Sequence, residues 1–342
     1  MSWKESMRQP GVRAALGAAL LFGAGTPLAK LLLNTVSPWL LAGLLYFGSG
    51  VGLTLYRKLI HAPKGRLSRA DVPWFAGAIL TGGIIAPVLL MLGLTVMPAS
   101  EASLLMNAEG VFTSLLAWFL FKENVNYRIA LGMTSIVAGA FILSWPTEIL
   151  FEGFWPALAV LGACFAWGMD NNLTRHVSLS DATWIASVKG LVAGSVNLTL
   201  AFVLGAIWPP LPNIAITMVV GFLAYGISLT LFVISLRHLG TARTGAYFSV
   251  APFFGATLAV AMGETLTVPL FIAGGLMMLG IWLHLTERHE HEHGHEALEH
   301  EHEILPDEHH QHFSNLSCNH HQHNKFKHTH PHFPDTHHRH SH

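Results

Sequence analysis

Between Ala99 and Glu123 the chain runs ASEASLLMNAEGVFTSLLAWFLFKE, an apolar stretch of membrane length with one carboxylate, Glu109, close to its middle. At about 1.5 Å of rise per residue, Glu109 stands roughly 15 Å from Ala99, near the midplane of a hydrocarbon core about 30 Å thick. A carboxylate at that depth is tolerated when it faces other helices or water, or when it is protonated, so by default it marks a functional site.

The stretch has a counterpart 142 residues further on, GTARTGAYFSVAPFFGATLAVAMGE, with the same small-residue start, mid-run punctuation and terminal acid. Ala99-Ser100 aligns with Thr241-Ala242, Glu109-Gly110 with Ala251-Pro252, and, after a one-residue gap, Glu123 with Glu264. Earlier segments echo as well: Phe22 and Gly25 align with Phe165 and Gly168, and Tyr46 with Lys189. A chain whose two halves hold the same number of apolar segments in the same order has the pattern of repeat-built transporters.

Ten spans are read: roughly 12–33, 38–57, 72–94, 99–121, 127–145, 154–174, 183–206, 214–236, 241–262 and 267–286. A hydrophobic share of 51%, a charged share of 11% and a mean hydropathy of +0.45 agree with a membrane protein, most of the charge lying outside the apolar runs. Positive residues should alternate between the loops of a correct count. They do: Arg57, Lys58, Lys64, Arg66 and Arg69, then Lys122 and Arg128, then Arg175, then Arg237 and Arg243 fall on one side. The connections 34–37, 95–98, 146–153, 207–213 and 263–266 hold no Lys or Arg. The expectation is a multi-pass protein of the cell membrane, most simply a bacterial inner membrane, with both termini cytoplasmic. Five spans per half is an odd number, so the halves must be inverted relative to each other. No signal-peptide pattern precedes the first run, which is read as a retained span.

From Glu287 the composition changes to HEHEHGHEALEHEHEILPDEHHQH and later HTHPHFPDTHHRHSH, and 19 of the 23 histidines fall between His289 and His342. With so little apolar content, this tail is expected to be disordered without a ligand. The domain reading is therefore a cytoplasmic N-terminus (1–11), two five-helix repeats (12–145 and 154–286) and a His-rich cytoplasmic tail (287–342). Two cysteines, Cys164 and Cys318, give neither a disulfide framework nor a thiol metal cluster.

In these features the chain resembles the ten-helix EamA-type branch of the drug/metabolite transporter superfamily. The resemblance is carried by Ala99, Ser100, Ala102, Ser103 and Glu123 in span four, and by Gly132 and Gly139 in span five. In the second half it is carried by Thr241, Gly245, Pro252, Gly263 and Glu264, and by Gly274 and Gly280. It implies an all-α membrane protein of ten transmembrane helices in two inverted repeats, working by transport rather than enzyme chemistry. Span nine keeps the family's mid-helix proline at Pro252, whereas span four has Glu109-Gly110 instead.

The candidate substrate and coupling residues are Glu109 with Asn107, Asp170 and Asn171 in span six, Lys189 in span seven, Tyr46 in span two and Lys30 in span one. By depth Asp170 and Lys189 are free to pair, as an inner gate or simply to neutralise each other. Asn171 and Asn172 could line a polar path or bond across helices. Lys30, nearer a helix end, is most simply a snorkelling residue, although the resemblance places a lysine at a similar point. Pro27 and Pro87 interrupt helices, Trp118, Trp145 and Trp155 suit the interface, and Gly48, Gly50 and Gly52 suit helix packing. Glu123 and Glu264 are expected to cap or pin helix ends.

The tail matches H-E-x-x-H at His289–His293 and His291–His295, as any His-Glu alternation must, without the third ligand and cleft of a zinc protease. Metal binding is the better expectation: His289, His291, His293, His295, His300, His302, His309, His310 and His312 are neutral imidazoles at close spacing, suited to zinc, nickel, cobalt or copper. The leading functional expectation is a secondary exporter of a small metabolite by alternating access, driven by a proton or ion gradient or by the solute's own gradient, with Glu109 the coupling group if protons couple. The alternative is a divalent transition-metal exporter, or a transporter regulated by metal on its tail. The partners expected are a small solute, a proton if transport is coupled, and the lipid bilayer, with no nucleic acid and no required cofactor.

Overall fold

The structure is a computed structural model that describes residues 10–63, 65, 67–121, 127–145, 151–177, 181–232, 234–235, 244, 247–285, 290–295, 298–301, 320–323 and 326–331. The chain divides into two units, 1–287 and 288–342.

The regular secondary structure described in the first unit is helical. In order they form α1 (Pro10–Leu32), α2 (Pro38–Leu59), α3 (Val72–Val96), α4 (Ala99–Leu105), α5 (Ala108–Phe121), α6 (Tyr127–Ser144), α7 (Phe151–Val177), α8 (Ala182–Val203), α9 (Leu211–Phe232), α10 (Ala251–Ala261) and α11 (Val268–Leu285). Among the described residues, five of these (α1, α2, α3, α8 and α9) are by themselves long and apolar enough to cross a membrane. The fourth span is two shorter helices, α4 and α5, parted by a turn at Met106 and Asn107.

Prolines open α2, α3, α9 and α10 in their first turn, where the missing N–H costs nothing. At the start of α8, Asp181 Oδ1 accepts the N–H groups of Thr183 (2.9 Å) and Trp184 (3.1 Å).

The matched halves of the sequence reappear as matched packing. α2 lies along α8, α6 along α11, and α4 meets α10. α7 packs on α3 and α5, and in the same way α1 packs on α9 and α10. Two irregularities repeat as well. π-helical segments occur at Ile79–Ile85 within α3 and Phe222–Ile227 within α9, starting 143 residues apart. Helices restart at Ala108 and Ala251, again 143 residues apart, after turns at Met106-Asn107 and Ser249-Val250. Duplicated defects of this kind are inherited with the repeat, and π-segments and helix breaks are common at functional sites.

Small residues set the closest contacts. A Cβ on Gly50 would stand 2.3 Å from Leu191 N, and one on Gly190 would stand 2.6 Å from Gly50 N, so α2 and α8 touch backbone to backbone. Gly48 meets the backbone of Met218 and Gly52 the ring of Phe222, both of α9, in keeping with their reading as packing residues.

Side-chain ties sort the connections into two sides. Asn213 at the start of α9 donates to Thr35 between α1 and α2 (2.6 Å), and Lys30 of α1 reaches the 97–98 turn. On the other side Arg57 at the end of α2 pairs with Asp181 (2.8 Å) and donates to Pro63 O (2.6 Å). This is the same division that the positive residues make in the sequence.

In the second unit, where the sequence suggests disorder, the described stretches form four short strands: β1 (Glu290–His295), β2 (Leu298–Glu301), β3 (His320–His323) and β4 (Phe326–Pro331). β1 pairs antiparallel with β4 and β2 with β3. The physical reason is that His-Glu alternation, apolar-poor as it is, has the period of two that a pleated strand needs. His289, His302, His309, His310 and His312 lie outside the described residues.

Candidate functional site in the membrane interior

The break in the fourth span positions the first group. Because α5 starts afresh at Ala108, Glu109 sits in its first turn, where the positive end of the helix dipole favours a carboxylate. Asn107 sits at the break: its Nδ2 donates to Leu104 O (2.8 Å), which its own backbone N–H also meets (3.0 Å), and approaches Met277 Sδ (3.6 Å). Its amide therefore serves the backbone, and the residue is buried.

Glu109 faces α7. Asn171 donates from Nδ2 to Glu109 Oε1 (2.8 Å) and to Thr113 Oγ1 (3.2 Å), while the next residue, Asn172, donates to Thr113 O (3.1 Å) and Gly168 O (2.8 Å). Gly168 allows this approach, since a Cβ there would lie 3.0 Å from both Phe112 Cβ and Thr113 N. Among the described residues Asn171 is the one side-chain donor to the carboxylate. Glu109 is half-buried, and Asn171 and Gly110 are exposed.

On the neighbouring face of α7, Asp170 forms an ion pair with Lys189 of α8, the side chains being 9% and 13% exposed. Asp170 Oδ1 also accepts the hydroxyl of Thr174 (2.9 Å). Gly82 of α3 makes room: a Cβ there would fall 1.9 Å from Asp170 Oδ2. Gly82 lies inside the first π-segment, and its carbonyl accepts both Tyr46 Oη (2.7 Å) and Trp167 Nε1 (3.1 Å). Asn197 Nδ2 donates to the next carbonyl, that of Gly83 (3.2 Å). The widened turn thus offers its backbone to polar side chains from α2, α7 and α8, which is how irregular backbone is satisfied at membrane depth. Tyr46 in turn packs on Tyr225 of the second π-segment (5.2 Å between ring centroids), and Tyr225 meets Phe22 edge-on (5.9 Å).

Of the residues singled out in the sequence, Glu109 and Asn171 are in direct contact, Asp170 and Lys189 are in direct contact, and Tyr46 joins them through Gly82. Asp170 and Asn171 are consecutive on α7, so one turn of that helix reaches both Lys189 and Glu109. Lys30 stands apart, donating from Nζ to Leu94 O (2.5 Å) and Met97 O (3.0 Å) at the end of α3. Glu264 pins a helix end, as expected for the terminal acids: Oε1 accepts Ala99 N (2.7 Å) and Oε2 accepts Ser100 N (2.8 Å). Its repeat counterpart, Glu123, lies outside the described residues. Sequence reasoning missed Gly82, Thr113, Trp167, Asn197 and Tyr225. The Gly82-Gly83 doublet within an apolar span was the available signal for the first; the others are ordinary residues of apolar helices. Of the tail histidines, the register places His291 opposite His330, His293 opposite His328 and His300 opposite His321.

Two matched halves of apolar helices, broken and widened at matching places around a polar interior, define a repeat-built membrane transport protein. The model of the EamA-like transporter family matches residues 9–145 and again 154–286, and the chain belongs to that family. It is 28% identical over 294 residues to an uncharacterized transporter of Methanothermobacter thermautotrophicus, covering 80% of this chain and 85% of that protein. It is 25% identical over 210 residues to a protein of Salmonella typhimurium named a probable amino-acid metabolite efflux pump, covering 55% of this chain and 68% of that one. A crystal structure matches with a TM-score of 0.63 at 19% identity, over 81% of this chain and 96% of its own, which establishes likeness of fold. The protein is a multi-pass membrane transporter of a small solute and not an enzyme.

Proposed function

We propose that this protein exports a small amino-bearing metabolite across a bacterial inner membrane by alternating access of its two inverted halves, with Glu109 exchanging a proton for the solute's ammonium group. The observation that carries the reading is the setting of Glu109. It stands at a helix break in the membrane interior, beside a buried ion pair that is already neutral, and Asn171 is its only side-chain donor among the described residues. A carboxylate so placed is free to take up a proton or a cation. The name of the Salmonella relative supports the choice of solute class. No P-loop pattern G-x-x-x-x-G-K-[ST] occurs in the chain, consistent with gradient-driven transport.

The test is flux of the L-amino acids and their amides in proteoliposomes under an imposed pH gradient, for the full chain and for Glu109→Gln. The variant should insert normally and lose gradient-driven flux. Unchanged pH dependence would remove Glu109 from the mechanism.

A second reading, regulation or export of divalent transition metal, draws on the histidine register of the tail strands. With both termini on the cytoplasmic side, the tail would load metal from the cytosol at neutral pH and release it on acidification, because imidazole must be neutral to ligate. Growth of a deletion strain on zinc, nickel, cobalt and copper, with and without a copy truncated after Glu287, separates the two readings. Metal sensitivity rescued only by the full chain favours the tail.

A further inference from the structure

The turn Met97-Pro98 joins the C-terminus of α3 to the N-terminus of α4, so it brings a negative and a positive helix end side by side. Each end is met by the opposite charge from a different helix. The ammonium of Lys30, from α1, is on the carbonyls of Leu94 and Met97 (2.5 and 3.0 Å), and the carboxylate of Glu264, just beyond α10, is on the N–H groups of Ala99 and Ser100 (2.7 and 2.8 Å). The N-cap position of α4 is Pro98, which has no side-chain acceptor, so those two N–H groups take their partner from the other half of the chain.

We propose that Lys30 and Glu264 form a charge clamp on the 97–98 turn that holds the transporter shut on this side. The Glu264 bonds join the end of α10 to α4, and the Lys30 bonds join α1, which packs on α10, to the end of α3, so all four break when α1 and α10 move together away from α3 and α4. Each of the groups released, an ammonium, a carboxylate, two carbonyls and two N–H groups, is one that water hydrates well. Opening therefore trades protein hydrogen bonds for hydration rather than stranding a buried charge, which suits a contact that must break in every cycle. This also gives Lys30 a role at the rim instead of at the central carboxylate.

The clamp rests on the alternating-access reading, and its test needs no solute. Gly110, exposed beside Glu109 and with nothing within 4 Å of an added Cβ, is replaced by cysteine as a reporter in a chain carrying Cys164→Ala and Cys318→Ser. Labelling by a membrane-impermeant thiol reagent is then followed from each side in vesicles of known orientation. The parent should label mainly from the side opposite Pro98. Glu264→Gln with Lys30→Met should raise labelling from the Pro98 side about tenfold or more. No labelling from either side in the parent would defeat alternating access and the clamp with it. Labelling from the opposite side alone, unchanged in inserted variants, overturns the clamp and leaves alternating access standing. Should the double variant fail to insert, Glu264→Asp, which keeps the charge but draws the carboxylate back from the Ala99 and Ser100 N–H groups, is measured instead. It must raise labelling from the Pro98 side, and unchanged labelling overturns the proposal.

Discussion

Asn171 Nδ2 lies 2.8 Å from Glu109 Oε1, joining the centre of the first repeat to a helix of the second. Two polar side chains thus meet at the depth where hydrocarbon would otherwise surround them, and among the described residues no side chain donates to the carboxylate's second oxygen.

Replacing Asn171 by Ala should consequently impair transport far more than folding. The side chain is exposed, so little packing is lost, but Glu109 loses its one side-chain donor among the described residues. We expect a loss of roughly tenfold to a hundredfold in flux, as for a charge-assisted hydrogen bond of about 1.5–3 kcal/mol, with a melting temperature close to that of the parent. Equal losses of melting temperature and flux would mark the contact as structural.

The Asp170–Lys189 pair predicts the opposite balance. Its side chains are nearly buried, and removing one partner strands the other charge in a medium that cannot solvate it. Lys189→Met or Asp170→Asn alone should cost roughly 3–5 kcal/mol. The double variant should recover much of that loss, because a neutral pair leaves no orphan charge. Additive losses in a denaturation-based double-mutant cycle would show that the two side chains act independently.

Gly82→Ala should resemble breaking the pair without touching it. The new methyl would overlap Asp170 Oδ2, 1.9 Å away, so either the carboxylate or the π-segment has to move. Overpacking of this kind costs about 1–3 kcal/mol. Gly110→Ala, where an added Cβ meets nothing within 4 Å, is the control and should be neutral or slightly stabilising. Thermal unfolding in one detergent compares the two directly.

Asp181 sets a pH dependence outside the spans. Burial pushes its carboxyl up, but hydrogen bonds from Arg57 and Thr183, the Trp184 N–H and the Arg57 charge together outweigh that and hold it below the usual carboxylate range. A group depressed in the folded state contributes its full stability above the unfolded value of about 4, and loses that contribution as pH falls through the lower folded value. Stability measured from pH 7 to pH 3 should fall at the acid end. Arg57→Met should be less stable at pH 7 and show a shallower acid loss; parallel curves would mean that Arg57 does not hold Asp181 ionised.

The repeat and the division of the loops into two sets were legible because each follows from properties read along one chain. Hydropathy sums over about twenty residues to mark a span. Positive residues sort loops by side, and rise per residue converts position into depth. The role of Glu264 was legible for the same reason, since an acid at the end of a span meets free helix-end N–H groups whatever its exact neighbour.

What only the tertiary structure decided is which side chains meet across helices. Asp170 and Asn171 are consecutive, yet Asp170 meets Lys189 of α8 and Asn171 meets Glu109 of α5. Adjacent residues on a helix point about 100° apart, and the neighbour on each bearing depends on how every other helix is rotated and set in register. The π-segments at Ile79–Ile85 and Phe222–Ile227 had no local sequence mark beyond glycines, because a widened turn is stable only where partners such as Tyr46 and Trp167 take up its carbonyl. Lys30 shows the same limit: its depth most simply suited a snorkelling residue, and the arrival of the Met97-Pro98 turn from α3 placed its charge on a helix end instead.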